Sequence, residues 1–169
     1  TTTGDLTSPL RFGPEWFADA PAHRPSLRPV EVLERASADI SPIDVTTDGG
    51  RLSMLSFVWP DQHERFERLG TAIEIARQHP LHVDPADAGD WLTGRLAQGS
   101  PDGVATVVFH SIVWQYLPVA TRDAVRGALS ATGAVASVDR PLYWLRMEPA
   151  TRQHADLRLT TWRGGEPAE

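Results

Sequence analysis

The sequence contains no cysteine, no lysine and no asparagine among its 169 residues. Without cysteine the chain has neither a disulfide framework nor a thiolate nucleophile, which is compatible with the cytoplasm. Without lysine it cannot form a Schiff base or use a lysine general base. Lysine and asparagine both have A-rich codons, so we attribute their absence to the codon bias of a GC-rich genome.

Long apolar runs and clustered basic residues are also missing. No apolar run approaches the roughly 20 residues that a membrane-spanning helix needs, and no basic-then-apolar signal peptide begins the chain. The net charge is −6, and the 16 arginines are scattered along the chain. Proteins that bind nucleic acids usually carry a basic stripe. The composition therefore predicts a cytoplasmic protein that binds neither a membrane nor a nucleic acid.

Several motifs of familiar enzyme classes are absent. The sequence has no G-x-G-x-x-G or Walker phosphate loop, and it has no G-x-S-x-G nucleophile elbow. These absences argue against a cofactor loop within this chain and against an α/β-hydrolase. The six histidines include no pair at metal-ligand spacing on one helix, so no metal site is predicted.

Three regions differ in composition. Residues 1–29 contain five prolines and little periodicity, and we interpret them as an irregular arm with one short helical turn at 15–17. Residues 30–163 alternate between helix-like and strand-like patterns and are predicted to form one α/β domain. Residues 164–169 are predicted to be a tail.

Helical periodicity is clear in three segments, which are 61–78, 90–96 and 121–132. The third predicted helix has Thr121 as its cap and Gly133 as its stop. The stretch 51–58 favours a helix, although a strand fits it nearly as well. The preceding residues 46–50 are interpreted as a turn.

Strand-like patterns occur in six segments, which are 30–36, 81–83, 104–110, 135–138, 142–147 and 157–162. The β-branched run 104–110 is typical of a parallel strand that is buried on both faces. The segment 157–162 alternates like an antiparallel edge strand. We therefore predict an α/β fold with a mostly parallel sheet that is closed by antiparallel strands at its C-terminal end.

The stretch Trp59 to Arg65 introduces the first long helix. Pro60 suits the first turn of a helix, because its φ is helical and its missing N–H needs no partner there. Asp61 and Glu64 would lie near the positive end of the helix dipole. One interpretation is a capped core helix, and the other is a helix that flanks a cofactor or substrate cleft.

Polar residues at the ends of predicted strands are the candidates for a site. Three strand ends qualify, and they carry Asp39, then Asp84 or Asp87, then His110 with Ser111. In open parallel sheets, ligands bind at the carboxyl ends of the strands. Each residue also has a structural interpretation, as a turn, a helix cap or a hydrogen-bonded histidine. Glu148, at the end of the run 142–147, is either a fourth member or a solvated acid.

Short motifs along the whole chain carry a family resemblance. They are Ser8-Pro9, Arg35-x-x-x-Asp39-x-x-Pro42-x-Asp44, Trp59-Pro60-Asp61-Gln62 with Arg65, His110-Ser111 with Tyr116-Leu117, and Glu148. On these residues the chain resembles the C-terminal portion of an uncharacterised bacterial family, the domain of unknown function 2332. The Trp-Pro-Asp-Gln segment with its arginine is the most specific part of the match.

That family looks like a divergent class I methyltransferase fold, so the resemblance implies S-adenosylmethionine as cofactor. It implies that Asp39 holds the cofactor ribose, that Asp87 contacts the adenine, and that His110 and Ser111 line the cleft. His110 would be the general base if one is needed. Further cleft candidates are Trp59, Asp61, Arg65 and Glu148.

The resemblance also implies an upstream segment that supplies the first strand and a glycine-rich cofactor loop. In a methyltransferase sheet this strand lies in the middle, and without it two strands would expose unpaired backbone groups. We therefore expect a Rossmann-like fold that lacks its first strand here, in a chain that is part of a longer protein or pairs with another chain. The acceptor would be an unknown small molecule or protein. The alternative function is a non-catalytic α/β domain that binds a protein partner through a sheet edge or a Trp-rich face.

Overall fold

The computed structural model describes residues 7–11, 30–152, 154–164 and 167–168. The chain divides into two compact units. Unit 1 comprises Thr1–Ser37 and Ser41–Asp84, and unit 2 comprises Ala38–Ile40 and Pro85–Glu169. Most of the predicted arm, including its helical turn at 15–17, lies outside the described residues, as does part of the predicted tail.

Unit 1 contains two helices, α1 (Asp48–Leu55) and α2 (His63–Gln78). The Thr47 hydroxyl caps α1 by accepting the N–H of Gly50 at 3.0 Å. This cap explains why residues 48–50, predicted to be part of a turn, instead form the first turn of the helix. The helical interpretation of 51–58 is confirmed as far as Leu55.

The start of α2 corrects the prediction for Pro60. The Gln62 N–H donates to the Trp59 carbonyl at 3.0 Å, which closes a turn with Pro60 at its second position. The helix therefore begins at His63 and not at Asp61. It ends at Gln78, and His79 before Pro80 stops it as predicted.

Two short strands, β1 (Ser37–Asp39) and β2 (Val83–Pro85), pair in a two-stranded sheet. The predicted strand at 30–36 is wrong, because these residues form no regular structure and Val30 is 84% exposed. Strand geometry appears only where a neighbour accepts its hydrogen bonds, which is from Ser37 onward. The predicted strand at 81–83 is likewise displaced, so that Asp84 lies within β2.

Unit 2 contains the larger sheet and two helices. In chain order its elements are α3 (Ala88–Leu96), β3 (Thr106–Ser111), a 3-10 helix (Trp114–Tyr116), α4 (Val119–Ala134), β4 (Leu142–Pro149) and β5 (Ala155–Trp162). The sheet order is β3-β4-β5. Strands β3 and β4 are parallel, with α4 as their crossover helix, and β5 is antiparallel to β4. The α/β class and the antiparallel C-terminal strand are confirmed.

Helices α3 and α4 pack with the sheet around the main core of unit 2. The buried members of this core are Leu92, Val125, Leu129, Leu142, Trp144 and Trp162. Each such side chain contributes roughly 1.5–3 kcal/mol when it leaves water. In β4 the alternation of the strand turns Leu142, Trp144, Arg146 and Glu148 to the core side.

The opposite face of the same sheet is apolar and exposed. Its exposed side chains are Val107, Phe109, Met147, Leu157 and Leu159, with Phe109 74% exposed. The prediction that 104–110 is buried on both faces is therefore wrong. The β-branched composition identified a strand, but it did not determine how many of its faces are covered.

Helix α4 extends beyond its predicted limits at both ends. It begins at Val119 after Pro118 and ends after Ala134, so Thr121 and Gly133 lie inside it. Both residues have tertiary roles instead of the predicted cap and stop, because Thr121 binds an acid of α3 and Gly133 packs against Trp162. The predicted strand at 135–138 is wrong, and these residues connect α4 to β4.

We expect Gly133→Ala to destabilise unit 2, because an added Cβ would clash with the indole ring of Trp162. Overpacking of this kind costs about 1–3 kcal/mol. Gly127→Ala in the same helix is the matched control, since its Cβ would meet nothing within 4 Å. The control should stabilise the helix by up to about 1 kcal/mol. Urea unfolding followed by tryptophan fluorescence measures both, and equal shifts for the two variants would contradict the packing interpretation.

Candidate functional site

The candidate site lies at the carboxyl ends of the parallel strands β3 and β4. His110 is the next-to-last residue of β3, and Glu148 is the next-to-last residue of β4. His110 Nδ1 and Glu148 Oε1 are 2.7 Å apart. Their side chains are only 15% and 20% exposed. The pair is thus a short, largely buried hydrogen bond between two titratable groups.

Glu148 also fixes the backbone that follows β3. Its Oε1 accepts the N–H groups of Val113 and Trp114, each at 3.3 Å. Between these groups and the strand, Ile112 has φ of 52°, which is unusual for a β-branched residue. The three hydrogen bonds to Glu148 hold this loop in place and begin the 3-10 helix that contains Trp114.

The hydrogen-bond pattern determines the roles of the two imidazole nitrogens. Because Glu148 Oε1 accepts two backbone N–H groups, it acts as an acceptor towards His110 as well, and Nδ1 donates. In the neutral ring, Nε2 then carries the lone pair and can act as a base. Carboxylate–histidine pairs of this kind orient the ring and fix its tautomer.

Three buried polar atoms of this cluster have no hydrogen-bond partner among the described residues. They are His110 Nε2, Glu148 Oε2 and Trp144 Nε1. Buried polar atoms are normally hydrogen-bonded, and exceptions often mark functional positions. All three atoms belong to the His110–Glu148 pair or to the Trp144 ring beside it, which marks this end of the sheet as a candidate site.

Tryptophan rings enclose the pair. His110 stacks on Trp114 with ring centroids 5.2 Å apart and planes inclined by 13°. Trp144 is tilted against both rings, with its centroid 5.6 Å from that of Trp114. These contacts restrict the orientation of the imidazole, which is what a general base requires.

A groove of about 560 Å³ adjoins the pair. Its lining residues are Trp114, Arg126, Trp144, Arg146, Glu148, Pro149, Ala150, Asp156 and Arg158. The guanidinium of Arg126 lies 5.0 Å from the Trp114 ring centroid, and that of Arg146 lies 4.1 Å from the Trp144 ring centroid. Arg146 Nη2 donates to Thr160 Oγ1 at 2.7 Å. Arginines held over aromatic rings are pre-organised for planar anionic groups.

Asp87 has a well-defined structural role. Its Oδ1 caps α3 by accepting the N–H groups of Gly89 at 2.8 Å and Asp90 at 3.4 Å. Its Oδ2 accepts the hydroxyl of Thr121, in α4, at 2.7 Å. The Thr121 hydrogen bond is the main cause that lowers the pKa of Asp87, and burial opposes it. Asp87 therefore ties α3 to α4, and its role towards a cofactor stays a prediction.

The remaining candidates from the sequence are distributed over both units. Asp39 is the last residue of β1, and its carbonyl accepts the N–H of Ala86 at 3.1 Å. Ser111 ends β3 on the face opposite to His110, so the structure does not bring their side chains together. Trp59, Asp61 and Arg65 belong to unit 1; Trp59 is 72% exposed, and Arg65 donates to Gln62.

Sequence reasoning missed four residues of the site, which are Trp114, Arg126, Trp144 and Arg146. The alternation of β4 contained a usable signal, because it places Trp144, Arg146 and Glu148 on one face. No comparable pattern in the sequence connects Arg126 with Trp114. Their contact depends on how α4 packs.

Two further features are absent from the described ranges. No group of three or more histidine, aspartate or glutamate side chains is placed as a metal site would require. No helix in those ranges is both long and apolar enough to cross a membrane.

We expect Thr121→Val to lower stability in a pH-dependent manner. The folded-state pKa of Asp87 is lowered, so its hydrogen bond stabilises the protein above the unfolded pKa of about 3.9 and is lost as pH falls through the folded value. The loss at pH 7 should be about 1 kcal/mol, since Asp87 is solvent-accessible. It should shrink towards pH 3. Urea unfolding at several pH values measures this, with Thr132→Val in the same helix as control; a loss independent of pH would contradict the assignment.

The comparisons with known proteins identify one family. Its model, described as "Uncharacterized protein conserved in bacteria (DUF2332)", matches residues 1–169. No curated protein and no solved structure matches the chain. The family resemblance carried by the sequence motifs is therefore confirmed, whereas the likeness to methyltransferases stays a prediction.

Proposed function

The chain belongs to the DUF2332 family of uncharacterized bacterial proteins, and we propose that it is part of an S-adenosylmethionine-dependent, methyltransferase-like domain. The observation that carries this proposal is the His110–Glu148 pair at the carboxyl end of a parallel strand pair, beside a groove. Ligands of open α/β sheets bind at this end. A base that is oriented by a carboxylate suits an acceptor that must lose a proton.

The sheet of unit 2 supports the finer proposal of a Rossmann-like fold. The N–H groups of Thr106 and Ile112 donate towards β4, so the backbone groups of Val107, Phe109 and Ser111 point away from it. In the part of the chain that the structure describes, no strand pairs with that outer side of β3. A further strand there, with a helix over the exposed apolar face, would give a sheet covered on both faces.

The family resemblance assigns cofactor roles to two carboxylates, although β1 and β2 form a sheet separate from β3-β4-β5. Asp39 ends β1, where an acid would hold the cofactor ribose. Asp87 uses three of its roughly four acceptor sites for Gly89, Asp90 and Thr121, which leaves capacity for one contact to the adenine. When bound, S-adenosylmethionine supplies the electrophilic methyl group.

The residues of this chain would then prepare the acceptor. His110 would take the acceptor proton at Nε2, and Glu148 would stabilise the imidazolium through Nδ1–H. Because Nε2 is buried, the acceptor must reach it by displacing the side chains above it or through one water molecule. Ser111 stays a candidate for the cleft of unit 2, and the cleft roles of Trp59, Asp61 and Arg65 in unit 1 stay predictions from the sequence.

We expect Asp39→Ala to abolish cofactor binding by the full-length protein without unfolding it, because its carboxylate would bind the ribose. Calorimetric titration with S-adenosylhomocysteine measures the affinity. Asp102→Ala is the control, since that side chain is exposed in the turn before β3 and pairs only loosely with Arg140 at 3.2 Å. Unchanged affinity in Asp39→Ala would remove the ribose assignment.

A second function, binding of a protein partner without catalysis, is favoured by one specific observation. The exposed face of Val107, Phe109, Met147, Leu157 and Leu159 is a contiguous apolar surface of the kind that other polypeptides cover. Its partner would present an apolar helix or strand. Two results together would support this function over the first. The wild-type protein would fail to bind S-adenosylhomocysteine, and the substitution Phe109→Glu would abolish the association that light scattering detects in the wild type.

A further inference from the structure

We propose that the groove beside the His110–Glu148 pair binds a small acidic molecule, which presents a carboxylate or phosphate group to Arg126 and Arg146 and a hydrogen-bond donor to Glu148. The inference deepens the proposed function and rests on it only for the role of this molecule as the acceptor substrate. The binding itself follows from the groove.

Two of the partnerless polar atoms belong to side chains that line this groove. Trp144 is only 8% exposed, and its indole N–H has no acceptor among the described residues. Glu148 Oε2 is also buried and has no donor there. An indole N–H can only donate, and an ionised carboxylate can only accept. A ligand that displaced the side chains covering these two buried atoms would offer an acceptor to the indole and a donor to the carboxylate.

Guanidinium groups supply the cationic donors of the groove. Three of them line it, those of Arg126, Arg146 and Arg158, against the two carboxylates of Glu148 and Asp156. Asp123 is a third carboxylate beside them, because it pairs with Arg126 at 3.1 Å. Glu148 Oε1 is committed to His110 and two backbone N–H groups, and Asp156 accepts from Arg158 at 2.9 Å. The acids are thus engaged by other groups of the protein.

Arg126 is the arginine best placed to take part in recognition. Its guanidinium lies over Trp114, and its ion pair with Asp123 spans 3.1 Å between two side chains that are more than half exposed. Exposed pairs of this kind are worth about 0–1 kcal/mol, so a ligand anion can displace Asp123 at small cost. The stacked guanidinium keeps its N–H edge available for a carboxylate or phosphate.

The size of the groove limits the ligand. Its volume of about 560 Å³ lies within the range of small-molecule sites. Trp114 and Trp144, whose ring centroids lie 5.6 Å apart, form an aromatic part of its lining. A short hydroxy acid has the required chemistry, because its carboxylate would meet the arginines and its hydroxyl would donate to Glu148.

The test uses lactate, propionate and inorganic phosphate, titrated at constant ionic strength into full-length protein without cofactor. Two-dimensional NMR of the indole N–H groups reports the site. We expect saturable shifts of the Trp144 and Trp114 signals but not of Trp91, which lies outside the groove beside Arg95. Lactate should bind several-fold more tightly than propionate, because only lactate offers the hydroxyl donor.

Arg126→Gln should weaken binding of each anion about tenfold, the value of one charge-assisted hydrogen bond. Arg95→Gln is the matched control, because Arg95 also lies over a tryptophan ring, and it should bind as the wild type does. Equal weakening by both variants, or shifts that never saturate, would overturn the proposal. Asp39→Ala should retain anion binding, so failure of the cofactor assignment and failure of this inference give different results.

Discussion

The hydrogen bonding of Glu148 Oε1 is the interaction on which the site of unit 2 depends. This one oxygen accepts from His110 on β3 and from the backbone of Val113 and Trp114 in the loop that follows. It thereby holds Ile112 at positive φ and places Trp114 against the imidazole. Trp114 in turn contacts Arg126, so the positions of the imidazole, of the Trp114 ring and of one guanidinium of the groove all depend on this carboxylate.

The second constraint is that only one face of the larger sheet is covered by helices. One face packs under α3 and α4, while the other presents exposed apolar side chains. The two edges differ as well. At the β5 edge, Thr161 exchanges backbone hydrogen bonds with Ala168. The strand at the other edge, β3, includes Val107 and Phe109 and has no charged side chain. Natural sheets usually protect exposed edges with charges or coverage. The face and edge of β3 are therefore the least covered parts of the larger sheet among the described residues.

Local signals in the sequence predicted most of the elements but not their tertiary roles. Helical periodicity and the stop at His79-Pro80 located α2, and the alternation of 157–162 identified β5, because both depend on neighbouring residues alone. Thr121 and Gly133 were misinterpreted as a cap and a stop, since their partners Asp87 and Trp162 are distant in sequence. For the site, His110 and Glu148 were separate candidates. Their contact arises from the register of two parallel strands, which no local pattern encodes.

The most direct test of this organisation is the protonation of the two ring nitrogens of His110, measured by nitrogen NMR in the neutral form of the imidazole. The His110 signals are assigned by their loss in His110→Gln. Donation from Nδ1 to Glu148 requires that Nδ1 carry the proton and that Nε2 carry the lone pair, and Glu148→Gln should weaken this preference. A ring protonated at Nε2 in the wild type would contradict the role of Glu148 as acceptor and, with it, the role of His110 as base.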